Sequence, residues 1–340
     1  MRVGMLAPIS WRVPPRHYGP WERIVSLLTE GLVERGVDVT LFATGDSVTQ
    51  ARLDAVCPRP LEEDPSLDPK VHEALHIANA FEKADGFDLI HNNYDFLPLT
   101  YSGLTRTPVV TTIHGFSSDD IRPVYRRYDG RVAYVSISDA DRDPELHYAA
   151  TVYHGIDLAE FTPRERPGRG LAFLGRIHPD KGVAEAIAVA RAVDLPLVIA
   201  GIVQDREYFD REVAPHLDGE RVRYVGSLGS KERDELLGSA VALLHLVEFA
   251  EPFGLSMIEA MACGTPVIGR RRGAVAEVVD DGVTGFVVDD IAGAIAAVRR
   301  VGGLDRREIR ARAALRFSRD RMVGDYLLVY EHVLAGTGVA

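Results

Sequence analysis

The chain has 340 residues, 46% hydrophobic and 26% charged, which is enough apolar material for two cores of ordinary domain size. Its 39 basic residues against 50 acidic ones leave a net charge of −11, which argues against a nucleic-acid partner, because such proteins bind through a basic face. Cys57 and Cys263 are too few for a disulfide framework or a cysteine metal site. The apolar stretch ahead of Pro8 is too short for an export signal, and no run of about 18 apolar residues marks a membrane span, so a cytoplasmic protein is expected.

In chain order the pattern alternates strand and helix. Arg2 to Ala7 reads as a buried strand, followed by a loop to Pro20 rich in Pro, Arg and aromatic residues. A helix to about Arg35 stops at Gly36, and Val37 to Ala43 is a second strand. After an irregular acidic stretch from Asp46 to Pro69 come a helix to about Ala84 and a strand from Phe87 to His91. A further helix should enter at Asn92 to Phe96, with His91 and Asn92 at the strand end and facing a cleft edge. The strand Val109 to Ile113 ends in His114-Gly115, where a ring and a close backbone can both approach a ligand. Arg122, Arg126, Arg127 and Arg131 form a local basic cluster, read as a solvated face or as contact with an anionic acceptor or a membrane surface. Asp139 and Asp141 imitate a D-x-D metal pair, but in so acidic a chain the pattern arises by chance and Ser138 or Asp139 suits a helix cap; no metal is expected.

From Phe161 to Gly170 the composition turns to Pro, Arg and Gly, the best linker candidate, giving a first domain over 1–160 and a second over 161–318. The second opens with a strand, Leu171 to Leu174, and then Gly175-Arg176-Ile-His-Pro-Asp-Lys181-Gly182. Arg176 and Lys181 on one loop at a strand end can neutralise a diphosphate, one as a fork and one as a point charge. Further strands are expected at Pro196 to Gly201 and Val222 to Val225, the latter followed by Gly226-Ser227-Leu228-Gly229 and a short helix from Ser230 to Gly238. The apolar run Val241 to Val247 then leads to Glu251-Pro-Phe253-Gly254-Leu255, a helix to Ala262 and a strand opening at Pro266. Such a strand-turn-helix unit aims backbone N–H groups at the sheet's carboxyl edge, where anions bind. Glu251 lies just ahead of that helix and Glu259 about two turns in, a spacing at which one carboxylate can meet a sugar ring and the other the vicinal hydroxyls of a ribose. Two arginine-rich helices fill about Ile291 to Phe317, and Asp320 to Leu334 is a final amphipathic helix. The dinucleotide, P-loop and hydrolase-elbow glycine signatures are absent.

The run from Glu251 to Ile268 resembles the E-x7-E motif of family 4 glycosyltransferases, retaining enzymes of the GT-B fold. The stretch Gly175 to Gly182 resembles that family's G-R-x-x-x-x-K-G signature, and Thr111 to Gly115 its sugar-facing histidine segment. The resemblance implies an α/β architecture of two Rossmann-like, doubly wound domains facing each other across a cleft, with the last helix, 319–340, returning to the N-terminal, acceptor-side domain. It implies that a sugar moves from a nucleoside diphosphate sugar (UDP- or GDP-linked) to a hydroxyl of a small-molecule or oligosaccharide acceptor, without a further cofactor or metal. By the same resemblance Glu251 orients the donor sugar, Glu259 holds the ribose and His114 contacts the sugar. Arg176, Lys181 and the Phe253-Gly254-Leu255 turn meet the diphosphate, the Ser227-Leu228 turn meets the base, and Gly19 approaches the phosphates. The family usually has a Gly-Gly pair where Gly19-Pro20 stands here, and proline has no N–H to offer. The short chain and the near absence of lysine, suggesting a high-GC source, resemble actinobacterial natural-product glycosyltransferases of the avilamycin type, which implies an oligosaccharide antibiotic intermediate as acceptor. A GT-B sugar-nucleotide epimerase, which needs no acceptor, and a non-catalytic nucleotide-sugar binder are the competing readings.

Overall fold

The computed structural model describes residues 1–336, which divide into two compact units, Met1–Gly155 with the chain from Arg319 onward, and Ile156–Ser318. The first unit contains β1 (Arg2–Leu6), α1 (Pro20–Glu34), β2 (Asp38–Phe42), β3 (Arg52–Asp54), α2 (Pro69–Glu82), β4 (Leu89–Asn92), β5 (Val109–Ile113), α3 (Arg122–Tyr128), β6 (Ala133–Ser136) and β7 (Tyr148–Thr151). The second contains β8 (Leu171–Leu174), α4 (Val183–Ala192), β9 (Leu197–Ala200), α5 (Arg206–Tyr208), β10 (Val222–Tyr224), α6 (Ser230–Ser239), β11 (Leu243–His245), α7 (Leu255–Ala262), β12 (Val267–Arg270), α8 (Val275–Val278), β13 (Gly285–Val288), α9 (Ile291–Val298) and α10 (Arg306–Phe317). The last helix, α11 (Arg319–Leu334), belongs to the first unit.

Both sheets are parallel throughout. The seven-stranded order is β3-β2-β1-β4-β5-β6-β7 and the six-stranded order is β10-β9-β8-β11-β12-β13. Parallel strands are covered on both faces by their crossover helices, which is why β5 is apolar or Thr along its whole length and fully buried. In each sheet the order reverses beside the first strand, between β1 and β4 and between β8 and β11, and at such switch points the loops diverge and leave a crevice at the carboxyl edge. The β8–β11 ladder is only one residue pair long, Ala172 opposite Leu243, so the strands are no longer laddered where their loops begin.

Several local expectations are corrected. His91 does not face a cleft edge: it lies inside β4, fully buried, with Nδ1 2.7 Å from the Tyr330 hydroxyl and Nε2 2.7 Å from Thr112 Oγ1, which is itself 2.7 Å from the Tyr326 hydroxyl. This network ties α11 to β4 and β5. Burial holds the His91 ring down to about 3, so it is neutral and can accept from one hydroxyl while donating to the other. After β4 the chain makes a 3-10 run, Leu97–Leu104, and no α-helix, while Ser138 accepts from the Asp141 N–H in a turn with no helix behind it. Ile156–Glu160 pack with the second unit, ahead of the junction at 160, because Ile156 bridges to Ser318 and Arg310 donates to the carbonyls of Leu158 (2.9 Å) and Phe161 (3.2 Å). In the basic cluster, Arg122 pairs with Asp119 and Asp143 and covers the Phe116 ring, and Arg126 pairs with Glu145, so local acids compensate half of it. Among the described residues no helix is long and apolar enough to cross a membrane.

Candidate active site

Three side chains of the second unit meet where β8 and β11 part. Glu251 is 8% exposed; Lys181, from the loop after β8, places Nζ 3.0 Å from its Oε2. His245, the last residue of β11, places Nε2 3.3 Å from the same oxygen, an ion-pair distance without the alignment of a full hydrogen bond, and Nδ1 3.4 Å from Ser256 Oγ on α7. Burial by itself would push the Glu251 carboxyl up, but the contacts with His245 and Lys181 outweigh it and hold it down to about 2, so the group is a carboxylate. The Lys181 ammonium also lies 4.2 Å over the Phe249 ring.

The backbone explains why these groups converge. Gly182 has φ 73°, and a Cβ there would lie 1.9 Å from the Leu246 carbonyl oxygen, so only glycine lets the Lys181 loop approach the segment carrying Glu251. Glu248 N–H also donates to the Asp180 carbonyl at 2.8 Å. On the other side Ala274 N–H donates to the Glu251 carbonyl at 2.8 Å. Gly254 caps the N-terminus of α7; its carbonyl takes the Met257 N–H at 3.0 Å, while the N–H groups of Leu255 and Ser256 ahead of it have no acceptor one turn back within the helix. Leu255 opens that helix. The Phe253 ring is 2% exposed and packs edge-on against Phe317 at 5.9 Å.

Other candidates lie apart from this cluster. Arg176 donates to Gln204 and lies 3.4 Å from Asp180, so the two cations of one loop have separate partners. Glu259, 3% exposed, lies 3.5 Å from Arg233 Nη1 of α6, whose guanidinium is 6.0 Å from the Phe161 ring; the two glutamates have different neighbours. Ser227 and Leu228 follow β10, in a turn begun where Gly201 N–H donates to the Gly226 carbonyl at 2.9 Å. Among the described residues no three His, Cys, Asp or Glu side chains are grouped to hold a metal ion.

In the first unit His114 follows β5 and is buried. Its Nε2 lies 3.0 Å from Asn93 Oδ1, which can only accept, so that nitrogen carries the proton. The ring stacks on Trp21 at 5.3 Å and on His154 at 5.2 Å, and burial holds it down to about 3, making it a neutral hydrogen-bonding group. Gly19 has φ 146°, and a Cβ there would meet Pro15 at 2.9 Å and Glu22 Oε2 at 3.0 Å, so the position ahead of Pro20 admits only glycine. Glu22 is buried in the first turn of α1, accepts from the Trp11 N–H at 3.2 Å, and is pushed up by burial to about 7. Sequence reasoning missed His245, Asn93, Trp21, Glu22 and Arg233. Of these only His245 left a mark, as a histidine inside an otherwise apolar run six residues ahead of Glu251.

Two family descriptions match adjoining parts of the chain: "Glycosyltransferase Family 4" over residues 21–160 and "Glycosyl transferases group 1" over residues 162–302. A phosphatidyl-myo-inositol mannosyltransferase of Mycolicibacterium smegmatis is 29% identical over 92% of this chain and 86% of its own length. A D-inositol 3-phosphate glycosyltransferase of Pseudarthrobacter chlorophenolicus is 28% identical over 77% and 76%. Among solved structures, AviGT4, a glycosyltransferase involved in avilamycin A biosynthesis, superposes with a TM-score of 0.76 at 25% identity, covering 99% of this chain and 98% of that one. With two parallel Rossmann-like sheets and family matches running through both units, the chain belongs to the family 4 glycosyltransferases of the GT-B fold.

Proposed function

We propose that this glycosyltransferase takes a sugar from a nucleoside diphosphate donor, UDP- or GDP-linked, and transfers it with retention and without a divalent metal to a hydroxyl acceptor. The observation that carries the reading is the buried Lys181–Glu251 pair at the switch point of the second sheet, beside the N-terminus of α7. A diphosphate leaving group gains charge as the glycosidic bond breaks, so an ammonium and fixed backbone dipoles stabilise the transition state more than the ground state. Lys181 and the N–H groups after Gly254 take that role, with Arg176 joining once it leaves Asp180. Glu251, fixed as a carboxylate, accepts from sugar hydroxyls, and Glu259 accepts from the ribose. His114 donates to or accepts from the sugar, and Gly19 and the Ser227-Leu228 turn present backbone to phosphate and base. The likeness to AviGT4 favours an oligosaccharide antibiotic intermediate as acceptor. The inositol-type acceptors named for two relatives make a polyol the second choice.

The test is turnover of UDP-glucose and GDP-mannose against oligosaccharide and inositol acceptors, with EDTA present, and the anomeric configuration of the product read by NMR. Retained configuration and undiminished rate in EDTA are expected. Inversion, or activity restored only by Mg²⁺ or Mn²⁺, overturns the mechanism, and an isomerised donor in the acceptor-free control points to an epimerase.

A further inference from the structure

Glu251 has an arrangement that the transfer reaction does not by itself explain. Both of its close cationic or hydrogen-donating neighbours, Lys181 and His245, address the same oxygen, Oε2. If Lys181 serves the diphosphate, its ammonium must turn away from Glu251, and a carboxylate only 8% exposed would then lose its ion-pair partner. An uncompensated buried charge is strongly unfavourable and tends to neutralise or swing toward any donor within reach. His245 is placed to prevent that. It ends β11, 6% exposed, so the strand fixes its backbone, and the Ser256 hydroxyl 3.4 Å from Nδ1 orients the ring from α7. An ionised carboxylate only accepts, so the nitrogen facing Glu251 carries a hydrogen in either protonation state of the ring.

We infer that His245 is a positioning residue, holding Glu251 Oε2 while Lys181 transfers from Glu251 to the donor diphosphate, so that the other carboxylate oxygen stays aimed at the sugar. This rests on the donor-site reading above. It makes the donor site an exchange of partners: phosphate replaces Glu251 at Lys181, and the misaligned 3.3 Å contact from His245 becomes the hydrogen bond that keeps the carboxylate in place. The consequence is specific to the sugar. Loss of His245 should leave nucleoside diphosphate affinity intact and remove only the extra affinity contributed by the sugar.

The experiment measures by calorimetry the dissociation constants of UDP and UDP-glucose, and of GDP and GDP-mannose, for the parent, His245→Gln and His245→Asn. Melting temperatures are recorded alongside. The glutamine amide reaches the position of Nε2, whereas the asparagine amide reaches only that of Nδ1. The asparagine variant should bind the nucleoside diphosphate as the parent does and bind its sugar about tenfold more weakly, the value of one hydrogen bond to a charged group, with glutamine restoring most of the difference. Lys181→Ala provides a measurement independent of any change at 245: it should weaken the diphosphate and its sugar by the same factor, because His245 still holds Glu251. If His245→Asn weakens both ligands equally, or neither, or if Lys181→Ala selectively weakens the sugar-bearing ligand, His245 does not position Glu251. If the parent binds none of the four ligands, the donor-site reading itself fails and takes this inference with it.

Discussion

Four histidines buried in the first unit make its stability acid-sensitive. Burial holds His76 down to about 4, His91 and His114 to about 3, and His154 well below the usual imidazole value. In the unfolded chain each takes up a proton near the ordinary 6.5, so the unfolded state binds more protons as pH falls and native stability drops with it. Between about pH 7.5 and 5.5 the window lies above the folded values, so the loss does not depend on how far each is depressed. It is about 1.4 kcal/mol per ring, or about 5.5 kcal/mol for four. Glu22 opposes this: raised by burial to about 7, it is protonated in the folded state where the unfolded carboxyl is ionised, and it returns about 2 kcal/mol over the same interval. Asp95, also raised by burial, acts in the same direction as Glu22.

Four groups outweigh Glu22, and the net loss before the Asp95 contribution is about 3.5 kcal/mol, a large part of a domain's stability. Both tryptophans of the chain, Trp11 and Trp21, lie in this unit, so tryptophan fluorescence reports on it alone. Urea unfolding followed by that signal should show the midpoint falling by roughly 2 M over the interval, taking m as about 2 kcal/mol per molar. Glu22→Gln removes that residue's share of the opposition and should steepen the fall. A midpoint that stays level or rises between these pH values refutes the argument, since it would mean that the imidazoles are not neutral in the folded unit.

Arg176→Ala and Lys181→Ala should each lower kcat together with donor affinity, by about 2.7–4 kcal/mol if the loss resembles that of an oxyanion-hole donor; parental kinetics in both would remove these residues from the donor site. Sequence reasoning expects neither change to affect stability, and the structure separates the two: Arg176→Ala should melt like the parent, while Lys181→Ala leaves the buried Glu251 short of its ion-pair partner and should melt lower. Glu259→Gln should weaken nucleoside diphosphate binding by about 1.5–3 kcal/mol in calorimetry, and it should also lower the melting temperature because Arg233 loses its charge partner. An unchanged nucleotide affinity in that variant would leave Glu259 as a structural partner of Arg233.

The α/β class, the family and most elements could be read directly from the residues, because their signals are local. Strand and helix periodicity, the caps and turns around Gly254 and Gly182, and the E-x7-E spacing that runs from ahead of α7 into it all operate within a dozen residues. Helix α7 indeed runs Leu255–Ala262 and β8 runs Leu171–Leu174, as the pattern predicts. What could not be read was which local signals would meet. His91 looks like a strand-end ligand in sequence, yet two tyrosines from a helix more than two hundred residues later capture it inside the first unit. Lys181 and Glu251 are seventy residues apart, and neither spacing nor propensity indicates that Oε2 of one will lie 3.0 Å from Nζ of the other with His245 beside them. That convergence depends on β8 and β11 being neighbours at the reversal of strand order, a property of how the crossovers wind. Burial, and with it the ionisation of Glu251, Glu22 and the four histidines, follows from the same packing, because the energy of a charge is set by the atoms that surround it and not by its place in the chain.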